Sequence, residues 1–417
     1  MIKALQIYFD VRPGERLKTA LMFFYFLLVI TTIYILKPVR NALFIVDFGA
    51  DKMKYMNLAE GVFLIFIVAA YSWLAKRISH RLFDVLVSSF LISNLCFFWF
   101  FSSKDIPQIS AIFFLWQATF SVILTTQFWI FANDLFSASE AKRLFGIIIS
   151  GGSIGGVFGG WLTQFLMRFT SIQNLFLVVS FILAACLFIT FFLWKKVRHR
   201  PPTLGANEPH HDTEAKQKKS VVYYLWMIAG LVVLAKMTST IIENQFAGVV
   251  EQLIVGKQAL TAFYGGFYGW LNLFSFLMQV FLTARFLRRF GVSGSVWILP
   301  AGLAILSVWS VASSALITAV VYRLYDGSMN YSIHQASKEI LYLPLSSAMR
   351  RRVKPWIDML GFRGAKTLAG LYMIGAAALF SIPAHKYGIL VLILIPLWLV
   401  VLLSIRNRLK TVQEMAP

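Results

Sequence analysis

"KKVRHRPPTLGANEPHHDTEAKQKKS", Lys195–Ser220, is the longest polar stretch in a chain of 417 residues. Rich in charge, Pro and Gly, it has the composition of a disordered linker that cannot bury a core. What flanks it decides the fold. Hydrophobic residues make up 59% of the chain and charged residues only 14%, which excludes an ordinary soluble domain. Apolar runs of about 20 residues recur on both sides, each long enough for a helix to cross a hydrocarbon core roughly 30 Å thick. The chain therefore reads as an all-α integral membrane protein with about twelve transmembrane helices. The runs are 17–36, 56–75, 82–102, 109–134, 144–167, 172–194, 221–245, 261–284, 295–314, 315–341, 356–380 and 386–405.

The linker leaves six runs on each side, giving an N-terminal bundle over 1–194, a cytoplasmic linker over 195–220 and a C-terminal bundle over 221–417. The halves resemble each other in layout. "AKRISHRLFD" (Ala75–Asp84) follows the second run as "RFLRRFGVSG" (Arg285–Gly294) follows the eighth, and "LFSASEAKRLFG" (Leu135–Gly146) matches "YLPLSSAMRRRVK" (Tyr342–Lys354). Two six-helix bundles in parallel repeat are the layout of the major facilitator superfamily, in which the binding site lies between the halves near the midplane.

A net charge of +21 raises the question of nucleic acid, and the distribution of the cations answers it. Arg77 and Arg81, Lys142 and Arg143, Lys195–Arg200, Arg288 and Arg289, and Arg350–Arg352 all fall in alternate connections. By the positive-inside rule this places both termini in the cytoplasm. Nucleic-acid binding needs a basic face with stacking aromatics, and the loops offer none. The charged N-terminal stretch ahead of a membrane-length run speaks against a cleavable signal peptide. Cys96 and Cys186 each sit in an apolar run, and the histidines are scattered, so neither a disulfide framework nor a metal site is expected.

Against this apolar background "YRLYDGSMNYSIHQASKEI" (Tyr322–Ile340) is anomalous. Arg323, Gly327, Asn330, His334 and Lys338 recur at helical steps of three or four and share one face of the tenth run. An ionisable group at the bilayer centre costs at least about 2.5–3.5 kcal/mol, so that face looks into the bundle or a water-filled cavity. Internal pairing, Arg323 with Asp326 and Lys338 with Glu339, is the plainer explanation for single residues, but it does not call for Asn330 and His334 on the same side. The seventh run repeats the theme in "AKMTSTIIENQF", with Lys236, Thr240, Glu243 and Asn244 along one face. In the first half, "ILKPVRNALFI" carries Lys37, Arg40 and Asn41, the fourth run carries Gln117, Ser121, Thr125 and Asn133, and the eleventh adds Arg363 and Lys366. Cations exceed carboxylates on these helices, which argues for an anionic substrate, with phosphorylated compounds among the candidates.

"FGIIISGGSIGGVFGGW" (Phe145–Trp161) sets Gly151, Gly155 and Gly159 on one face, with Gly152, Gly156 and Gly160 beside them. Such overlapping small-xxx-small patterns let helix backbones approach closely. They are not a GxGxxG loop, and "GFRGAKT" has Ala365 where a Walker A motif needs glycine, so ATP hydrolysis is not expected. A membrane enzyme using His334 and Asp326 as acid and base lacks a nucleophile motif.

Several of these segments resemble the TLC family of ATP/ADP translocases of bacteria and plastids. "ILKPVRNALFI" is similar to the end of that family's first helix, typically I-L-R-D-T-K-D, and "FWIFANDLFSASEAKRLFG" resembles its F-W-x-F-A-N followed by E-A-K-R-F. "IIENQF" resembles its seventh-helix V-E-V-T-W, and "KEILYLPL" with "RRRVKPWIDMLGFRGAKTLAG" resembles K-E-M-x-Y-I-P-L and the run that follows. The likeness spans nearly the whole chain in order. It implies a secondary transporter that exchanges anionic nucleotides of the ATP/ADP type by alternating access, with no cofactor and no obligate protein partner. It also implies that Arg40 holds the place of the family's first-helix lysine, Glu243 that of its seventh-helix glutamate, and Arg363 or Lys366 that of its eleventh-helix lysine. Pro38, Val39 and Asn41 depart from the family's charged and hydroxyl residues, and Asp134 follows Asn133 where many members have Gln. On this reading Arg40, Lys236, Arg323 and Arg363 or Lys366 contact the anion. Glu243 and Asp326 pair with those cations when the site is empty, and Asn330, His334 and Gln117 select the rest of the substrate. A proton-coupled carrier of another organic anion, with Glu243, Asp326 or His334 carrying the proton, is the alternative.

Overall fold

The computed structural model describes residues 11–75, 77–104, 106–196, 219–345 and 347–414. The linker is thus seen only at its ends, which are helical, and residues 197–218 with His199, His210 and His211 lie outside the described residues. In chain order the helices are α1 (Arg16–Phe48), α2 (Met53–Ala75), α3 (His80–Phe101), α4 (Pro107–Leu135), α5 (Ala138–Leu166), α6 (Asn174–Lys196), α7 (Lys219–Leu253), α8 (Lys257–Leu277), α9 (Thr283–Ala312), α10 (Leu316–Met329), α11 (Gln335–Leu341), α12 (Ser347–Phe380) and α13 (Gly388–Glu414). Two single π-helical turns, Met278–Leu282 and Asn330–His334, join α8 to α9 and α10 to α11.

Each of the twelve apolar runs falls on helical chain. Among the described residues, nine helical stretches are long and apolar enough to cross a bilayer. One of them, Lys257–Ala312, is 56 residues long, about 84 Å at 1.5 Å per residue, which is far more than a single crossing uses. It breaks at Gly291, whose φ of +63° and ψ of −178° lie in a region essentially reserved for glycine. Nothing crowds that position, so the backbone angle and not space demands the glycine. The tenth and eleventh runs are missing from the nine because their charged residues make them too polar to register as apolar. Phe181, Phe188 and Leu379 expose most of their surface, as side chains do that face lipid in a multi-pass membrane protein.

The first helix is longer than its apolar run. Hydropathy ends that run at residue 36, yet α1 continues unbroken through Pro38 to Phe48. Proline removes one backbone donor, but in lipid the helix has no better way to satisfy the remaining groups. Val39, Ala42, Leu43, Phe44 and Ile45 are all buried and hold the continuation in place.

The helices form two compact units. The first comprises Met1–Asp47, Phe66–His211 and Gly256–Leu273. Its centre is aromatic: Phe98 meets Phe113, Trp116 and Phe176, and Phe26 stacks on Phe128 with centroids 4.3 Å apart. The glycine face of α5 lies against the α1 backbone. A Cβ at Gly151, Gly155 or Gly159 would meet the carbonyl oxygen of Phe23, Leu27 or Thr31 at 2.6, 2.3 and 2.7 Å. Thr31 Oγ1 donates to the Gly155 carbonyl at 3.2 Å across the same seam. On the neighbouring face, Gly160 approaches Gly265 and Gly269 of α8 just as closely.

The second unit comprises Phe48–Ile65, Asp212–Val255 and Phe274–Pro417. Here α7 is the central element, packed on α10, α12 and α13. Its buried face, including Tyr224, Ile228, Leu231 and Ile242, joins Leu303, Tyr322, Met373, Tyr387 and Trp398 in one apolar core. This core positions the charged side chains of α7 and α10.

Candidate functional site

Within the second unit, α10 and α7 bring their charged residues together. Arg323 is 4% exposed and its guanidinium reaches three groups: Asp326 one turn along α10, Glu243 of α7 at 3.4 Å, and Ser239 Oγ of α7 at 3.4 Å. Ser239 in turn donates to Asp326 Oδ2 at 2.8 Å. Asp326 is fully buried, and its Oδ1 has no hydrogen-bond partner among the described residues. Lys236 of α7 is within electrostatic reach of Glu243, Arg323, Lys366 and Glu60. Lys366 of α12 donates to Glu60 of α2 at 2.5 Å. The group therefore sets Lys236, Arg323 and Lys366 among Glu60, Glu243 and Asp326.

That balance departs from what the sequence predicts. The helices singled out by their charge hold an excess of cations, but Glu60 enters from the second run and compensates Lys366. A carboxylate inside "MNLAEGVFLIF" is itself a signal, because an isolated charge in a membrane-length run needs a partner. Ser239 gives no such signal, since a serine on a helix usually bonds only its own backbone.

The polar stripe of the tenth run is cut by the π-helical turn at Asn330–His334. The extra residue in that turn shifts the register, so the face does not run straight from Arg323 to Lys338. Single π turns inside α-helices occur often at functional positions. Gly327 and His334 are buried, whereas Asn330 and Lys338 are partly buried. The His334 ring stands edge-on to Trp398, centroids 6.1 Å apart, and its Nδ1 lacks a hydrogen-bond partner among the described residues. Lys338 lies 4.0 Å from Glu339, which Lys354 also contacts. It stands fifteen residues beyond Arg323, about 22 Å along the helix. Arg363 is half-buried on α12, one turn before Lys366.

Within the first unit a second cationic group forms around α1. Arg40 is buried, lies over the Phe114 ring at 4.3 Å, and donates from Nη1 to Gln117 Oε1 at 3.2 Å. Its Nε and Nη2 reach the side-chain oxygen of Asn41 at 3.1 and 2.9 Å. Asn41 donates to the Tyr268 hydroxyl at 3.1 Å, and Lys37 sits over the Tyr268 ring at 4.4 Å. Arg40, Asn41 and Gln117 are therefore brought together, joined by Phe114 and Tyr268, which the sequence does not single out. Asn133 is exposed and sixteen residues beyond Gln117, about 24 Å along α4. Among the described residues no three His, Cys, Asp or Glu side chains come together in a way that could hold a metal ion.

The comparisons with known proteins fit charged groups held inside membrane-spanning helices. The family model of the TLC ATP/ADP transporter matches residues 109–410. The chain belongs to the TLC ATP/ADP transporter family. "ADP,ATP carrier protein 3" of Rickettsia felis is 22% identical over 389 residues, covering 81% of this chain and 76% of the relative. The protein of the same name in Rickettsia prowazekii is 23% identical over 82% and 77%. "ADP,ATP carrier protein 1" of Chlamydia trachomatis is 22% identical over 61% of this chain and 56% of its own. Among solved structures, the nucleoside transporter NupG superposes with a TM-score of 0.63 at 13% identity, covering 93% of this chain and 99% of that one. A bacterial homologue of the iron transporter ferroportin, in its inward-facing state, gives 0.66 at 13% identity over 94% and 98%. These likenesses show a major-facilitator-like fold, so this TLC family member shares its architecture with transporters of unrelated sequence.

Proposed function

We propose that this TLC family member is a secondary transporter exchanging anionic nucleotides of the ATP/ADP type by alternating access, with no catalytic step of its own. The observation that carries the reading is Arg323: a guanidinium buried in a membrane-spanning helix and divided between Glu243, Asp326 and Ser239. A charge so placed is costly unless it is paired or has a use. A phosphate group offers the same fork-matching oxygens as a carboxylate, so it competes with Glu243 and Asp326 for the same donors. Lys236 stands close enough to take up a carboxylate that Arg323 releases. Exchange follows naturally, because an emptied site returns to the ion-paired state while an incoming anion opens it again.

In this reading Lys236, Arg323 and Arg363 or Lys366 of the second unit hold the phosphates and its Asn330 and His334 contact the remainder, while Arg40, Asn41 and Gln117 of the first unit are a separate group of candidate substrate contacts. Asn133 and Lys338 are left out, since each stands more than four helical turns from Gln117 and Arg323 respectively. The alternation of basic connections supports both termini in the cytoplasm, and the relatives in Rickettsia and Chlamydia support a bacterial plasma membrane. The test is uptake of radiolabelled ATP into proteoliposomes loaded with ADP, beside empty vesicles. Uptake that requires internal ADP and is lost in Arg323→Ala supports the proposal. Uptake driven by an imposed pH gradient without internal nucleotide replaces it with a proton-coupled carrier.

A further inference from the structure

A groove of about 510 Å³ opens between α3 and α6 in the first unit, sharing no lining residue with Arg40 and its partners. Leu82, Val85, Phe191 and Trp194 form its walls, and Ser79 and Lys195 stand at its end. Both of these polar residues are at helix termini, Ser79 immediately before α3 and Lys195 in the last turn of α6. The packing of α3 on α6 thus brings together Ser79 and Lys195, which lie far apart in sequence. Arg77, two residues before Ser79, lies over the Trp73 ring at 4.0 Å.

An apolar groove on membrane-spanning helices, with Lys195 in its lining and Arg77 two residues from Ser79, has the two-part character of a phospholipid. We propose that it is a binding site for an anionic phospholipid, with acyl chains along Leu82, Val85, Phe191 and Trp194 and the headgroup phosphate at Lys195 and Arg77. The volume falls within the roughly 300–1,000 Å³ usual for small-molecule sites. Basic pockets between helix ends recognise anionic headgroups, whereas a free anion gains nothing from walls of this kind. The proposal is independent of the nucleotide reading, which uses none of these residues.

Trp194 provides the readout. The full-length protein is placed in phosphatidylcholine vesicles containing either brominated phosphatidylglycerol or brominated phosphatidylcholine, and quenching is taken as the difference between the wild type and Trp194→Phe. Phosphatidylglycerol is expected to quench at lower mole fraction, by about fivefold for each cation engaged. Lys195→Gln with Arg77→Gln removes that preference while leaving quenching by the apolar chains intact. Equal quenching by the two lipids overturns the proposal. So does an absence of quenching by either. Counting phosphatidylglycerol adducts by native mass spectrometry, for the wild type and the Lys195→Gln variant, tests the same site without relying on the tryptophan variant. Fewer retained adducts in the variant are expected, and unchanged adducts overturn the site.

Discussion

Lys366 of α12 donates to Glu60 of α2 across 2.5 Å, with side chains only 14% and 7% exposed. The pair ties the first half of α2 to α12, where Gly61 and Gly370 bring the same two helices into backbone contact. Removing one member takes a hydrogen-bonded ion-pair partner from a buried charge, which costs up to about 3–5 kcal/mol, whereas replacing both by apolar groups is often close to neutral. Lys366→Met is therefore expected to lower the thermal unfolding midpoint in detergent sharply, and adding Glu60→Leu to restore most of it. Additive losses in the double variant would show that the two residues do not act as a pair.

Arg323 makes the second prediction. Its planar fork meets Glu243, Asp326 and Ser239 at once, a geometry that the point charge of lysine does not reproduce. Arg323→Lys keeps the charge and loses hydrogen bonds to charged groups, so nucleotide exchange should fall about ten- to a hundredfold. Ser239→Ala removes a single neutral partner and should cost about fivefold. Exchange at wild-type rates in Arg323→Lys would mean that charge alone suffices there.

Much of this architecture is legible in the sequence. Apolar runs locate the helices because a bilayer leaves the backbone no other way to satisfy its hydrogen bonds. Charge inside those runs locates Arg323, Asp326, Lys236 and Glu243, because such charge is too costly to be incidental. What the sequence hides has physical causes too. The π-helical turn at Asn330–His334 changes the register without a sequence signature of its own, so a stripe drawn at regular steps runs too straight. Pro38 suggests an end to α1 because local rules weigh the lost donor, while the buried face from Val39 to Ile45 outweighs it. Pairings such as Lys366 with Glu60, and the placing of Arg40 over Phe114, join residues distant in sequence, and no spacing rule reaches that far.

The seam between α1 and α5 gives the third prediction. A Cβ at Gly155 would stand 2.3 Å from the Leu27 carbonyl oxygen, so Gly155→Ala forces two backbones apart and should cost about 1–3 kcal/mol. Gly146 lies on the same helix, and a Cβ there would meet nothing within 4 Å. At that position the same substitution acts only on helix propensity and should stabilise by about 0.5–1 kcal/mol. Unfolding midpoints that move in opposite directions would confirm the seam. A parallel fall in both would mean that glycine content as such, and not this contact, is what α5 requires.

At the basic ends of α1 and α5, ion pairs make stability depend on pH. Arg143 grips Glu15 through Nη2 at 2.8 Å and Nη1 at 3.3 Å, and the Arg12 amide adds a bond at 3.1 Å. The Arg143 hydrogen bonds hold the Glu15 carboxyl below its ordinary value of 4.5. Beside it, burial pushes the Glu140 carboxyl up, but the Ser137 amide at 2.8 Å and Lys18 at 3.0 Å more than offset this and leave it lowered as well. A carboxylate whose folded value is depressed contributes stability above its unfolded value and loses it as pH falls through the folded one. The two pairs therefore contribute fully at neutral pH, and their contribution declines below 4.5 as pH falls through the lowered folded values. Thermal midpoints in detergent should stay level from about pH 8 down to about pH 5 and then drop. In Arg143→Ala the neutral midpoint is lower and the acid drop shallower, because the Glu15 value has returned toward normal. An acid drop of unchanged size in that variant would place the titrating carboxylates elsewhere in the chain.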